Sequence, residues 1–243
     1  MMWNAVVLAG DRDPTNGAAR AGLTPYRAFA PLGDRRVVDY PLLALEEVMN
    51  AGRIGRIVVS AHEDAPDPNP GPWDRIPAKD SAAASVWAAY QAVGAPLLII
   101  RAEAVMLSAA MILEFLEQAE EGEELIASLA PYEEAPAADD AEAPRPIKLR
   151  EGPFLPGPLF AIATVEAKGA VEAWARRERK LRDPLGALGV GMALKSRFIR
   201  PSIAEIEVAG ARRLGRPAKL ARLTDPQAGY ALRGAVDLIW LRK

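Results

Sequence analysis

Short β-branched runs separated by helix-length amphipathic stretches constrain this chain more than any other feature. "WNAVVLA" at 3–9 and "GRIVVSA" at 55–61 are apolar on consecutive positions and bounded by Gly or polar residues, as strands buried on both faces of a parallel sheet should be. Between them, "VVDYPLLALEEVMNAG" carries apolar residues at helical spacing and stops at Gly52, suited to the position just past a helix. The unit recurs. "SAAASVWAAYQAVG" reads as an Ala-rich helix ending at Gly94, "APLLIIRA" as a strand, "SAAMILEFLEQAEEG" as a helix capped by Ser108, and "ELIASLA" as another strand. Such alternation predicts one α/β domain over 1–243, Rossmann-like, with three α/β/α layers and a mostly parallel sheet covered on both faces.

The stretch at 131–146, "PYEEAPAADDAEAPRP", is acidic and rich in Pro and Ala with no apolar period, so it reads as a solvated surface excursion. Beyond it, "IKLREGPFLPGPLFAIA" returns to strand composition. "VEAKGAVEAWARRERK" and "SIAEIEVAGARRLG" are amphipathic helix patterns, the second closing at Gly215. "AKLARLTD" reads as a strand, and "PQAGYALRGAVDLIWLRK" as a turn followed by a short helix.

Charge and composition narrow the classes of partner. Thirty basic against thirty-two acidic residues give a formal charge of -2, so no global positive field gathers nucleic acid or anionic lipid. A small molecule is the expected partner. With no cysteine there is no disulfide framework, thiolate metal site or cysteine nucleophile, which fits a reducing compartment, and cytoplasm is the expected location. "MMWNAVVLAGDRD" lacks a basic leader, and "PLLIIRAEAVMLSAAMILEFL" is interrupted by Arg101 and Glu103, so neither a signal sequence nor a membrane span is expected.

A strand running into a small-residue loop at the carboxyl edge of a parallel sheet is a natural ligand site, because free backbone N–H groups point there. "VVLAGDRDPTNGAARAGLTPYRAFAPLG" has that layout, although "GDRDPTNG" has neither the Rossmann nor the P-loop spacing. In segment order the chain resembles the molybdopterin-guanylyltransferase-like nucleotidyltransferases, the NTP transferases with a glycosyltransferase-A-like fold. That family opens with a strand and a "LAGG" loop, then a Lys before "ALLPLGG", then a "VLEAL" helix; here the order is "VLAGD", Arg27 before "AFAPLG", and "VVDYPLLAL". The family's Ser-headed helix matches "DSAAASVWAAYQAV" at Ser81, its "VVTADxPLLTPEMI" block matches "LIIRAEAVMLSAAMI", and its closing "DVDxPEDL" matches "ALRGAVDL".

The resemblance implies nucleotidyl transfer. An NTP would lie over the first loop, magnesium would bridge its phosphates, and an acceptor oxygen would attack the α-phosphorus, chemistry that rests on positioning and charge neutralisation. Leu8, Ala9 and Gly10 match the start of the phosphate loop. Asp11 stands where a second Gly belongs; a carboxylate about 4 Å from a phosphate costs on the order of 4 kcal/mol at an effective dielectric near 20, unless a cation or Arg12 compensates. Arg27 falls at the triphosphate-contacting Lys, with a planar fork in place of a compact ammonium. Ser81 heads the helix that follows the segment facing the base. Glu103 falls at the first metal-binding Asp and has two readings, a magnesium ligand or the ion-pair partner of Arg101. The paired C-terminal aspartates become Ala231 and Arg233, and Asp237 matches a later Asp at a helix start.

Two functional classes follow. In one, the chain binds an NTP or a nucleotide-linked small molecule with arginines, Arg27 and Arg233, doing part of the work of magnesium. In the other it is a catalytically inactive relative kept as a binding or regulatory module with a protein partner. A transferase of the related glycosyltransferase-A type is a third reading, which also calls for an acidic metal pair. His62, the sole histidine, is expected to be a solvent-facing loop residue; the resemblance puts Trp73 or Lys79 of "GPWDRIPAKDS" near the base, with packing the expected role of Trp73.

Overall fold

The computed structural model describes residues 1–11, 24–120, 122–133, 145–177 and 200–231, with only the backbone described at 173–177. Among these described residues, ten strands and five α-helices follow in chain order: β1 (Trp3–Leu8), β2 (Pro31–Leu32), β3 (Arg35–Arg36), α1 (Asp39–Asn50), β4 (Ile54–Ala61), β5 (Trp73–Pro77), α2 (Ala82–Val93), β6 (Leu97–Arg101), α3 (Ala109–Ala119), β7 (Leu125–Pro131), β8 (Ile147–Leu149), β9 (Gly152–Ile162), α4 (Lys168–Arg177), α5 (Ile203–Leu214) and β10 (Ala218–Arg222).

The main sheet runs β10-β7-β9-β6-β1-β4-β5, with β8 added to β9. In it, pairs β1–β4, β1–β6, β4–β5 and β7–β10 are parallel, and β9 is antiparallel to its neighbours β6, β7 and β8. Strand β1 is central, which is why "NAVVL" carries no solvent face. Ala5 and Val7 point to one layer, with Leu42 and Leu45 of α1 and Ile112, Phe115 and Leu116 of α3. Val6 points to the other, with Val86 and Ala89 of α2 and Val171 of α4. The α/β/α layering expected from the alternation is therefore present. A separate apolar cluster sets Ile203 and Ile206 of α5 over Leu129, Leu149 and Phe154.

Local signals set the helix ends. Ser81 and Ser108 accept hydrogen bonds from the N–H groups of Ala84 and Met111, and Ser202 forms a reciprocal box with Glu205. Gly215 ends α5 in the left-handed region at φ 69°, a conformation that side chains with a Cβ resist. The unread elements are small. The ribbon β2–β3 has two residues per strand, and β5, "WDRIP", lacks apolar alternation because it is a half-exposed edge strand that ends in a proline.

Strand β10 forms the opposite edge, and side chains from both layers occupy outward backbone groups of Leu220 and Arg222. Leu220 N–H donates to Glu207 Oε1 of α5 at 2.9 Å, and Arg222 N–H donates to Gln118 Oε1 of α3 at 3.0 Å, while Gln118 Nε2 donates to the Arg222 carbonyl at 2.9 Å. Glu114 adds a bond from Thr224 N–H at 3.0 Å.

Glu120 closes the amino end of the sheet by accepting from Trp3 Nε1 at 3.2 Å and Arg53 Nη2 at 2.9 Å. Burial pushes its pKa up, but the bonds from Trp3 and Arg53 and the Arg53 charge outweigh this and hold it below the ordinary 4.5. A carboxylate depressed in the folded state contributes stability above its unfolded pKa and loses it as pH falls through the folded one. Glu120→Gln is accordingly expected to lower stability at neutral pH and to flatten the acid limb below about pH 4.5, read from urea midpoints against pH.

Candidate functional site

The parallel strands β1, β4, β5 and β6 end side by side, and the residues following each form one sheet edge. Backbone bonds pin the first loop on both sides. Ala9 N–H donates to the Ser60 carbonyl at 2.8 Å, and Ala102 N–H donates to the Leu8 carbonyl at 3.1 Å. Leu8 packs into the α2 layer, and Ala9 is fully buried in the α1 layer. Gly10 then passes so close to the chain after β5 that a Cβ on it would lie 2.5 Å from Ala78 Cβ. Ala78 is itself held by its N–H to the Ala61 carbonyl at 2.9 Å. Only a residue without a side chain fits this crossing.

Arg27 reaches the edge from a 3₁₀ turn over Arg27–Phe29. "YRAFA" explains its aim: Tyr26, Ala28, Phe29 and Ala30 are buried, and Arg27 alone is left facing the loop ends. Tyr26 is wedged between Phe29, edge to face at 6.4 Å, and the His62 ring at 5.7 Å. From this anchored turn the guanidinium spans two carboxylates. Arg27 Nη2 donates to Asp11 Oδ2 at 2.7 Å, and it lies 3.0 Å from Glu103 Oε1, which also accepts from Nε at 3.2 Å. Glu103 is 5% exposed at its side chain, Arg27 15% and Asp11 50%, so the pair with Glu103 is inside and the pair with Asp11 is at the mouth. Arg101 Nε stands 3.8 Å from the other Glu103 oxygen, Oε2.

Sequence-designated residues thus divide into groups. Leu8, Ala9, Gly10, Arg27 and Glu103 converge on one edge together with Asp11, whereas Arg12, Arg233 and Asp237 lie outside the described residues. Ser81 lies on the same edge but spends its hydroxyl as the acceptor that caps α2. Ala231 is half-buried and brings no donor. Of the cations offered to Glu103, Arg27 is the close partner, and Arg101, chosen from the sequence for its adjacency, is the more distant one. Trp73 packs against the core across from Ile57, far down β5 from the edge, while Lys79 is exposed beside it. His62 is half-buried against Tyr26, not wholly solvent-facing.

Sequence reasoning passed over the wall of this edge. Asp39, 2% exposed at the start of α1, accepts from Arg36 N–H at 2.8 Å and from Asn69 N–H and Nδ2 at 3.1 and 2.9 Å. Arg75 donates to the carbonyls of His62 and Ala65 and pairs with Asp67 at 2.5 Å. These bonds fix the Pro-rich segment 62–72. A shallow depression of about 310 Å³ beside it is lined by Ala61, Glu63, Arg75, Ile76 and Pro77. The available signal was the buried-acid pattern of Asp39 ahead of an apolar helix, which reads equally as an ordinary helix-start carboxylate.

Magnesium, implied by the resemblance, finds a poor donor set here. It requires near-octahedral oxygen ligands, and the two carboxylates beside Leu8–Gly10, Asp11 and Glu103, already bond to Arg27. No cluster of three or more His, Asp or Glu side chains able to hold a metal occurs among the described residues.

No protein-family model and no curated protein matches the chain. Solved structures do. A hypothetical transferase from Thermus thermophilus superposes with TM-score 0.81 at 24% identity, over 98% of this chain and 100% of that one. The 2-C-methyl-D-erythritol 4-phosphate cytidylyltransferase from Thermus thermophilus gives 0.61 at 16% identity, over 100% and 98%. The 4-diphosphocytidyl-2C-methyl-D-erythritol synthase from Anaerococcus prevotii gives 0.60 at 13%, over 99% and 94%. At these identities the likeness is one of fold, and it does not single out the molybdopterin-guanylyltransferase branch. The chain shares its α/β fold with these transferase structures over 98% or more of its length.

Proposed function

We propose that the chain binds a nucleoside triphosphate or a nucleotide-linked small molecule at the carboxyl edge of β1, with the phosphates over Leu8–Gly10. The placement of Arg27 carries this reading. Its Nε and Nη2 are committed to Glu103 and Asp11, and Nη1 takes no partner among the described residues. A planar fork held this way presents one uncommitted amino group to a phosphate oxygen at a fixed point. It also answers the charge at Asp11, whose carboxylate would otherwise repel that phosphate.

The backbone N–H groups of Gly10 and Asp11 extend the cradle, and the absent Cβ at Gly10 lets the chain pass close against Ala78. Isothermal titration of CTP, GTP, ATP and UTP, each with and without magnesium, tests the reading. Binding of at least one is expected, and no heat at millimolar nucleotide would sink it.

A second reading, that of an inactive relative serving as a binding or regulatory module, is favoured by one observation. The two carboxylates that could have served transfer chemistry are both engaged by a guanidinium. On this reading nucleotide binds, yet no NTP releases pyrophosphate. Robust magnesium-dependent pyrophosphate release would remove it.

A further inference from the structure

Glu103 sits 5% exposed with a charge that must be balanced at all times, because an unpaired carboxylate at that depth is strongly unfavourable. In metal-using sites a divalent ion bound with the ligand supplies that balance. Here the balancing cation is covalently part of the chain. Arg27 lies between Glu103 and Asp11 at 3.0 and 2.7 Å, the place at which an ion bridging the two carboxylates would have to sit. Its turn is locked by buried Tyr26, Ala28 and Phe29, so the guanidinium is delivered by packing and not by a mobile loop. A guanidinium does not deprotonate in proteins and is not removed by chelators.

Resting on the nucleotide reading above, we propose that Arg27 is a built-in counter-cation standing where an ion bridging Asp11 and Glu103 would sit, so that nucleotide binding at this edge proceeds without a divalent metal. The local charge supports it. Within the cluster, Asp11 and Glu103 bring two negative charges and Arg27 and Arg101 two positive ones, so these four paired groups balance without an added ion. A magnesium ion would have to displace Arg27, whose own charge would then repel it from close range. Arg27 is a positioning and charge-balancing group for the loop, in addition to lending Nη1 to the ligand.

Manganese, followed by paramagnetic resonance, probes the position directly in the whole chain without reference to activity. The wild type is expected to bind no stoichiometric Mn²⁺ at millimolar concentration. Arg27→Ala is expected to gain one site at least about tenfold tighter than the wild type, and Arg27→Ala with Glu103→Gln to lose it again. Should Arg27→Ala fail to fold, Arg27→Gln, which keeps a hydrogen-bond donor without the charge, makes the same comparison. A wild-type Mn²⁺ site abolished by Glu103→Gln, or folded Arg27 variants that gain no site, overturns the proposal. In a parallel arm, the affinity for the best-bound NTP should change less than about threefold between magnesium and EDTA; a loss above about tenfold in EDTA also overturns it. If no nucleotide binds under either condition, the nucleotide reading fails, while the Mn²⁺ comparison still decides what occupies the space between the two acids.

Discussion

Gly10→Ala is expected to lower folding stability by about 2 kcal/mol, within the range for forcing extra volume into a packed site. The new Cβ would lie 2.5 Å from Ala78 Cβ, and Ala78 has no easy retreat because its N–H is bonded to Ala61. Either the first loop lifts from the sheet edge or the chain after β5 shifts. Both movements disturb the backbone assigned to phosphate, so nucleotide affinity should fall together with stability. The cause is separable by a double-mutant cycle. Ala78→Gly removes the colliding methyl and should restore most of the loss in combination with Gly10→Ala, whereas additivity of the two single effects in urea unfolding would show that close approach is not the reason for glycine there.

Asp39→Ala is expected to have the larger effect, about 3 kcal/mol, because a buried carboxylate accepting from three donors disappears at once. The N–H groups of Arg36 and Asn69 lose their acceptor, and α1 loses the acidic residue in its first turn. The segment 62–72 should then become the first site of limited proteolysis, since Asn69 is its tie to α1. Unchanged cleavage kinetics with an unchanged urea midpoint would show that the bonds from Arg75 and Arg36 suffice to hold the segment.

The central strands and the helices were legible because their chemistry is local. Val6, Val7, Val58 and Val59 mark strands through consecutive β-branched residues, and Ser108 and Gly215 mark helix boundaries through groups that bond within a turn. Strand β5 was not legible. "WDRIP" is a strand because β4 lies beside it, and nothing in five residues, none of them buried, reports a neighbour sixteen positions back. The candidate site divides the same way. Segment order brought Gly10, Arg27 and Glu103 to one edge, but the identity of the partner of Glu103 depends on distance in space. Adjacency in sequence favoured Arg101, whereas the anchored turn around Phe29 swings Arg27, seventy-six positions away, into closer contact. A buried acid is satisfied by whichever cation packing delivers, and packing is not written in neighbouring letters.

The side-chain-capped rim at β10 limits how copies of this chain can associate. Strand addition depends on a ladder of unclaimed main-chain donors, and Glu207 and Gln118 have already capped those of Leu220 and Arg222. A second molecule sliding along that flank would have to evict two side chains rooted in opposite helical layers before it could zip on. Growth of a continuous intermolecular sheet from that flank is thereby opposed, whereas β5 and β8 each pair with a strand on one side only among the described residues.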